Sequence, residues 1–480
     1  MSTNQPAPSS DKEQPVGEVA GTVTPLRRGV QTAIAVAGLV LSAVLGPLTS
    51  SPTLWGFLPL ALYAVLLLAD LDIVLATTVG LLSGLLVLGA GPIDAADYLA
   101  DSLASDVVVI GLVIVLGSGL GEVLMKTGAA TDLVRLIVQR MGIDSALRAQ
   151  LGIMLATGVL VIALGTLIGA FALAAPLVIP IAARLGFTRS GTALMMFIGG
   201  TCGMFVAPFV GSMVAIRSSS GISYPEFVLV AGGPLAIACF VVGFFLVRWN
   251  LRRPTSPEDF YGADDQVDEA LEVPRYARQS TVAFLGSFVL MVVYAVLTGA
   301  GTSFAVLALI GMAVVAGAAG RLSPTALLRA LYDGCGRLFN FFLLFWLLAA
   351  LFAVIEELNP YEILLDLWGS NLVALGTFTF LVLVGLIGWI GIQGASAAQV
   401  LLVDQIFGPT ADALGVPIAA WSVVLLASAQ ADTYGPFPGV NMIAPVGLAR
   451  STALKRVLYS SWVLLLVSLA VYTIEIAILH

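Results

Sequence analysis

Apolar runs of about twenty residues, the length a bilayer core requires, recur along most of the chain and are separated by short polar joints. Such runs predict spans near 29–48, 55–70, 72–91, 106–125, 226–247, 281–299, 303–320, 337–355 and 457–478. Residues 129–141 follow a different pattern. Leu133, Leu136, Ile137 and Met141 share one helical face, while Asp132, Arg135, Gln139 and Arg140 lie elsewhere, as in a helix lying along the interface. A second interfacial helix is expected where Glu362 and Asp366 share a face four residues apart. Two longer runs, 147–183 and 371–408, turn at small residues (Gly165 to Gly169 and Gly391 to Ser396) and are expected to be re-entrant hairpins.

Two further spans, 189–217 and 417–449, are interrupted at membrane depth. In the second, Asp432, Gly435, Pro436, Pro438 and Gly439 stand inside an apolar run. Proline removes a helix hydrogen bond and clashes with the preceding turn. Non-helical backbone at that depth is tolerated only where it is buried in protein or lines a cavity. The Pro-Phe-x-Gly sequence at Pro436 also occurs at Pro208, and its surroundings match: Gly169-Ala170 answers Gly394-Ala395, and Leu185-Gly186 answers Leu414-Gly415. Broken spans in corresponding positions of two halves point to a secondary-transporter binding site.

The expected fold is an all-α polytopic membrane protein of about eleven transmembrane helices, arranged as two inverted repeats, each with a re-entrant hairpin and a broken helix. Residues 1–24 are expected to be a disordered cytoplasmic tail, 25–50 an extra span, 51–249 repeat 1, 250–280 a cytoplasmic linker and 281–480 repeat 2.

Composition agrees. Hydrophobic residues make up 59% of the chain and charged residues 10%, with a mean hydropathy of +1.03, which excludes a water-soluble domain. The net charge of −8 comes mainly from the tail and the linker, so no nucleic-acid partner is expected. Cys202, Cys239 and Cys335 are too scattered for a disulfide framework or a metal site, and the single histidine is His480. No enzyme chemistry is expected: there is no imidazole for a dyad and no paired intramembrane acids. With the N-terminus inside, twenty of the 21 Lys and Arg residues fall on the cytoplasmic side and Arg217 alone falls outside, as the positive-inside rule requires. The expected location is the plasma (bacterial inner) membrane.

Half-helix N-termini present free N–H groups and the positive end of a dipole, so two breaks and two hairpin tips form an anion cradle. Its expected substrate-binding residues are Thr166 and Gly169 at the first tip, and Thr201, Pro208, Gly211 and Ser212 on the first broken span. Gln393, Gly394 and Ser396 follow at the second tip, and Pro436, Gly439 and Asn441 at the second break. Asp432, with Thr433, is the candidate for cation coupling, since an ionisable group inside a span is functional by default. Its other reading is a cap on the second half-helix. The cation is H+, or a Na+ held near Asp432, Thr433 and Ser396, and Na+ is the only cofactor expected. Arg217 has two readings, a bidentate carboxylate anchor or a charge snorkelling to the interface. Glu122 has the same ambiguity near the inner interface, and Gln399 and Gln430 are weaker candidates.

Gly121-Glu122-Val123-Leu124 with Gly128-Ala129, Gly394-Ala395-Ser396-Ala397, and an acid just before the second break resemble the ion transporter superfamily of secondary carriers. Within it the chain looks most like the gluconate permease-type symporters. That resemblance implies import of a small organic anion, such as gluconate, lactate or a dicarboxylate, coupled to H+ or Na+ by an elevator motion in a homodimer surrounded by membrane lipid. The chain departs from the family at Ala207-Pro208-Phe209-Val210-Gly211, which lacks the family's histidine, and at Ala431-Asp432-Thr433-Tyr434-Gly435. A Na+/H+ antiporter without organic substrate is the alternative.

Overall fold

Helices begin where the sequence supplies a cap. Asp72 accepts from the amides of Val74 and Leu75 at 3.0 and 3.1 Å and starts the helix Ile73–Leu88, while Ser105, Ser145, Thr188 and Ser323 start the helices Asp106–Lys126, Ala146–Leu164, Arg189–Val206 and Pro324–Arg337 in the same way. Each side-chain oxygen satisfies an amide that the first helical turn leaves without a partner. The computed structural model describes residues 25–69, 71–141, 145–253, 257–262, 274–360, 362–363, 367, 376–390 and 396–480.

In the first half the helices are α1 (Pro25–Leu45), α2 (Leu58–Leu68), α3 (Ile73–Leu88), α4 (Pro92–Ser102), α5 (Asp106–Lys126), α6 (Ala129–Met141), α7 (Ala146–Leu164), α8 (Leu167–Arg184), α9 (Arg189–Val206) and α10 (Gly211–Ser220). A rod follows, made of α11 (Tyr224–Phe227), a π turn and α12 (Gly233–Leu251). The second half repeats the series with α13 (Ala277–Thr298), α14 (Thr302–Ala319), α15 (Pro324–Arg337), α16 (Phe339–Leu358), α17 (Thr377–Ile387), α18 (Ser396–Ala413), α19 (Ile418–Ser428), α20 (Val440–Leu448) and α21 (Leu454–Leu479). The protein is all-helical and polytopic: among the described residues, ten helical segments are long and apolar enough to cross a membrane.

Helices occupy each expected span and both breaks are present, but α2, α3 and α19 are shorter than a full crossing, whereas both arms of the first hairpin, α7 and α8, are long enough for one. The helix expected at 129–141 is α6. Two elements were not expected. The amphipathic helices α4 and α15 occupy stretches that read as joints, each starts with a proline in its first turn, and each precedes a span in corresponding positions of the two halves. The expected tail, the face shared by Glu362 with Asp366, and most of the tip of the second hairpin lie outside the described residues.

Helix packing divides the bundle into two bodies. One contains α1 to α5 with α13 to α16, and the other α7 to α12 with α17 to α21; α6 packs on both. The first body is fastened by α5. A Cβ on Gly334 of α15 would stand 2.5 Å from the Ser118 carbonyl oxygen, and Ser118 Oγ donates to the Gly334 carbonyl at 2.8 Å. Nearby, buried Glu122 pairs with Arg337 at 2.8 Å. The second body is tightest between α7 and α9, where a Cβ on Gly203 would lie 2.2 Å from the Gly158 carbonyl oxygen, the small-residue contact that lets membrane helices approach backbone to backbone. Residues 257–262 strap one end of this body. Asp259 accepts from the Ser190 amide at 3.0 Å and its hydroxyl at 2.5 Å, and the Tyr261 hydroxyl donates to the Ala449 carbonyl at 3.4 Å.

Candidate functional site

Each hairpin meets the broken span of the opposite half. The outgoing arm of the first hairpin, α8, packs on α20 beyond the second break, and its counterpart α18 packs on α10 beyond the first. The tips stay level with the breaks. Gly165, in the left-handed conformation at φ +68°, faces the Phe209 carbonyl oxygen, which an added Cβ would approach to 3.2 Å, while α10 continues ten residues further. In the second half Trp389 Nε1 donates to the Ala427 carbonyl at 3.1 Å, and Gly388 sits against Ser428.

The second break meets the first broken span at Tyr434. Its hydroxyl lies 2.7 Å from Thr201 Oγ1, and its ring packs edge-on against Phe197 and Phe205, each at 5.8 Å. Thr201 already donates to the Phe197 carbonyl at 3.0 Å, so the tyrosine is the donor in this pair. Asp432 ends a 3-10 turn two residues earlier and is buried, 6% exposed. Its carbonyl accepts from Asn441 Nδ2 at 3.1 Å, which bridges the break from the first turn of α20. Thr433 Oγ1 donates to Gln430 Oε1 at 3.0 Å. Thr201, Asp432, Thr433 and Asn441 therefore form one buried cluster.

The remaining expected residues are distributed differently. Ser212 is buried at the start of α10, and its hydroxyl has no hydrogen-bond partner among the described residues. Gly211 lies against Ile114 of α5, where a Cβ would stand 2.4 Å from the side chain, and 3.9 Å from Ala397. Ser396 begins α18 and is buried. Thr166 caps α8 by position, without a side-chain hydrogen bond, and Gly169 sits one turn on against its methyl. Gly439 precedes α20, and the carbonyl of Pro436 accepts from Trp462 Nε1 at 3.0 Å. Gln393 and Gly394 lie outside the described residues.

Pro208 belongs to a second feature. It lines a cavity of about 450 Å³ with Phe209, Asp106, Arg217, Tyr224 and the turn between α13 and α14. Arg217 reaches back to the Pro208 carbonyl at 3.5 Å, a long contact, and lies over the Tyr224 ring at 5.3 Å. Its Nε is buried without an acceptor among the described residues. The cavity thus sits where the first break faces the other body.

Two acids were missed by the sequence reading. Asp404 of α18 accepts from Trp421 Nε1 at 2.8 Å and lines a polar cavity of about 260 Å³ with Ser219 and Asp412. Glu475 of α21 is buried, 8% exposed. Both are ionisable groups within apolar stretches, the signal that singled out Asp432.

Comparison with known proteins corrects the family resemblance. Residues 17–249 match the model of the Na+/H+ antiporter family. The fold is similar to that of the YdaH transporter of Alcanivorax borkumensis, at 17% identity and a TM-score of 0.53, covering 95% of this chain and 99% of that one. It is also similar to MtrF of Neisseria gonorrhoeae, described as illuminating a class of antimetabolite efflux pumps, at 13% identity and a TM-score of 0.55, covering 96% and 97%. No curated protein matches in sequence. The gluconate permease-type resemblance is therefore overturned: its motifs are runs of two to four small or common residues, and broken helices occur in several transporter folds. The chain has the fold of a polytopic membrane transporter.

Proposed function

We propose that the chain is a secondary active transporter of the bacterial inner membrane in which Asp432 binds the coupling cation, H+ or Na+, and a small organic anion binds at Arg217. The observation that carries this reading is the burial of Asp432 at the second break, two residues from the Tyr434–Thr201 contact that joins both broken spans. A cation arriving there is felt by both halves. The carboxylate and the hydroxyl and carbonyl oxygens around it are hard ligands of the kind Na+ takes, and the carboxylate also takes a proton.

The cavity at Arg217 supports the anion. An arginine with an unsatisfied buried Nε beside a helix break presents a donor fork to a carboxylate, and about 450 Å³ suits a small organic acid. The division into two bodies supports alternating access, with the hairpin-bearing body moving against the other. A second reading, Na+/H+ exchange without organic cargo, is favoured by the family model matched over residues 17–249.

Proteoliposomes under an imposed Na+ or pH gradient, with labelled lactate, dicarboxylates and citrate, test both readings beside a pH-dye assay without anion. Gradient-driven accumulation of an anion, lost in Asp432→Asn while exchange at equilibrium persists, is the expected result. Proton flux driven by Na+ alone, with no anion taken up, replaces the first reading by the second. Full accumulation by Asp432→Asn removes Asp432 from coupling.

A further inference from the structure

Ser461, Ser468, Tyr472 and Glu475 succeed one another at intervals of seven, four and three residues along α21, which places them on one helical face. They cover about 21 Å of helix at 1.5 Å per residue. All four are buried. Ser461 Oγ, the Tyr472 hydroxyl and both carboxyl oxygens of Glu475 are screened from solvent with no hydrogen-bond partner among the described residues. Buried polar groups are otherwise nearly always satisfied, so several orphans on one face of one span mark a polar seam rather than a packing surface.

The seam leads to the second break. Ser468 lies 3.6 Å from Cys239 of α12. The Tyr472 hydroxyl faces Gln430, short of full hydrogen-bond geometry, and Gln430 Oε1 accepts from Thr433, the residue after Asp432. The titratable groups on facing elements are Cys202 of α9, Cys239 of α12 and Tyr434 of the break. On the same helix are Tyr472 and His480, whose ring rests on Phe378 of α17. No basic side chain among the described residues pairs with Glu475. A carboxyl buried without cation or donor is accommodated as the neutral acid, because the uncompensated anion is costly in an apolar medium.

We propose that Glu475 is a second proton-binding group of the transporter, at one end of a polar seam that connects it with the Asp432 break. The proposal rests on the reading of the chain as a cation-coupled transporter. The step is a simple proton exchange: the Oε–H bond breaks, the proton passes to water, and the carboxylate is reprotonated when the site returns to the other exposure.

Infrared difference spectra of the purified protein between acidic and alkaline buffers read the carboxyl directly, without transport. The expected result is a carboxylic C=O band that titrates in the wild type, is lost in Glu475→Gln and is retained, displaced, in Glu475→Asp. In proteoliposomes, the pH dependence of cation-driven flux is expected to flatten in Glu475→Gln and to be kept by Glu475→Asp. A spectrum unchanged by Glu475→Gln, or a variant flux with the wild-type pH profile, overturns the proposal. Should the wild type show no cation-driven flux at any pH, the transporter reading falls, and the infrared comparison still decides whether Glu475 exchanges a proton. Glu475→Asp serves if Glu475→Gln does not fold.

Discussion

The Tyr434 hydroxyl donates to Thr201 Oγ1 across 2.7 Å inside the protein, tying the second break to the interior of α9. Both residues are fully or almost fully buried. A neutral buried hydrogen bond contributes about 1 kcal/mol, and leaving one partner unsatisfied costs about 1–3 kcal/mol. Tyr434→Phe leaves Thr201 still donating to the Phe197 carbonyl, so its stability loss is expected near the lower figure. A double-mutant cycle with Thr201→Val, read by thermal unfolding in detergent, is expected to give a coupling of about 1 kcal/mol. Strict additivity would mean that the second break is held against α9 by packing alone.

Most of the architecture was legible because a bilayer imposes length. A run of twenty apolar residues has one reading, and α6 declared itself by the separation of its leucines from Asp132 and Arg135. The helices α4 and α15 escaped because, at 11 and 14 residues, they are too short and too polar to register as spans. The breaks were visible in Pro208 and Pro436. The contact of the second break with α9 through Tyr434 and Thr201 was not, since 233 positions separate the two residues and only packing joins them. The Arg217 cavity was hidden for the same reason, being walled partly by the distant turn between α13 and α14. Glu475 was readable in principle as an acid in an apolar run, but near the chain end it resembled a polar terminus.

Two glycines of α15 make a matched pair. Gly334 has no room: a Cβ would lie 2.5 Å from the Ser118 carbonyl oxygen and 2.7 Å from Gly119 Cα, both backbone atoms of α5 that cannot rotate away. Gly336 has nothing within 4 Å. Gly334→Ala is expected to destabilise by roughly 1–3 kcal/mol through overpacking, whereas Gly336→Ala is expected to gain up to about 1 kcal/mol of helix propensity. Melting temperatures of both variants in one detergent check the prediction, and equal shifts would contradict the close contact of α15 with α5.

The acid limb of stability has a local source at the same place. Asp333 is exposed, and the hydrogen bond from Lys126 at 2.9 Å, helped by nearby Arg329 and Arg337, holds its carboxyl below the usual range. With the folded value depressed, the stabilisation is present above the ordinary carboxylate value of about 4 and is lost as the pH falls through the folded value. Asp333→Asn is expected to melt slightly below the wild type at neutral pH, with the gap closing in acid and shrinking in high salt. A gap that widens on acidification would show that the carboxylate opposes folding.

The last prediction separates the two readings of Arg217. If its guanidinium binds the carboxylate of the cargo, Arg217→Gln removes a charge-assisted hydrogen bond of about 1.5–3 kcal/mol, which raises the KM for the anion roughly 10- to 100-fold. Arg217→Lys keeps the charge but loses the fork, so it is expected to fall between. Neither change reaches Asp432, which does not line that cavity, and at saturating anion the dependence of uptake on the imposed cation gradient is expected to stay at the wild-type level. The structural reading makes the opposite division. There the guanidinium serves only to hold the Pro208 carbonyl and the Tyr224 ring, and Arg217→Gln lowers the melting temperature while leaving the KM unchanged. Measuring KM and melting temperature on the same preparations decides between them, because an anchor for the cargo moves the first and a brace for the break moves the second.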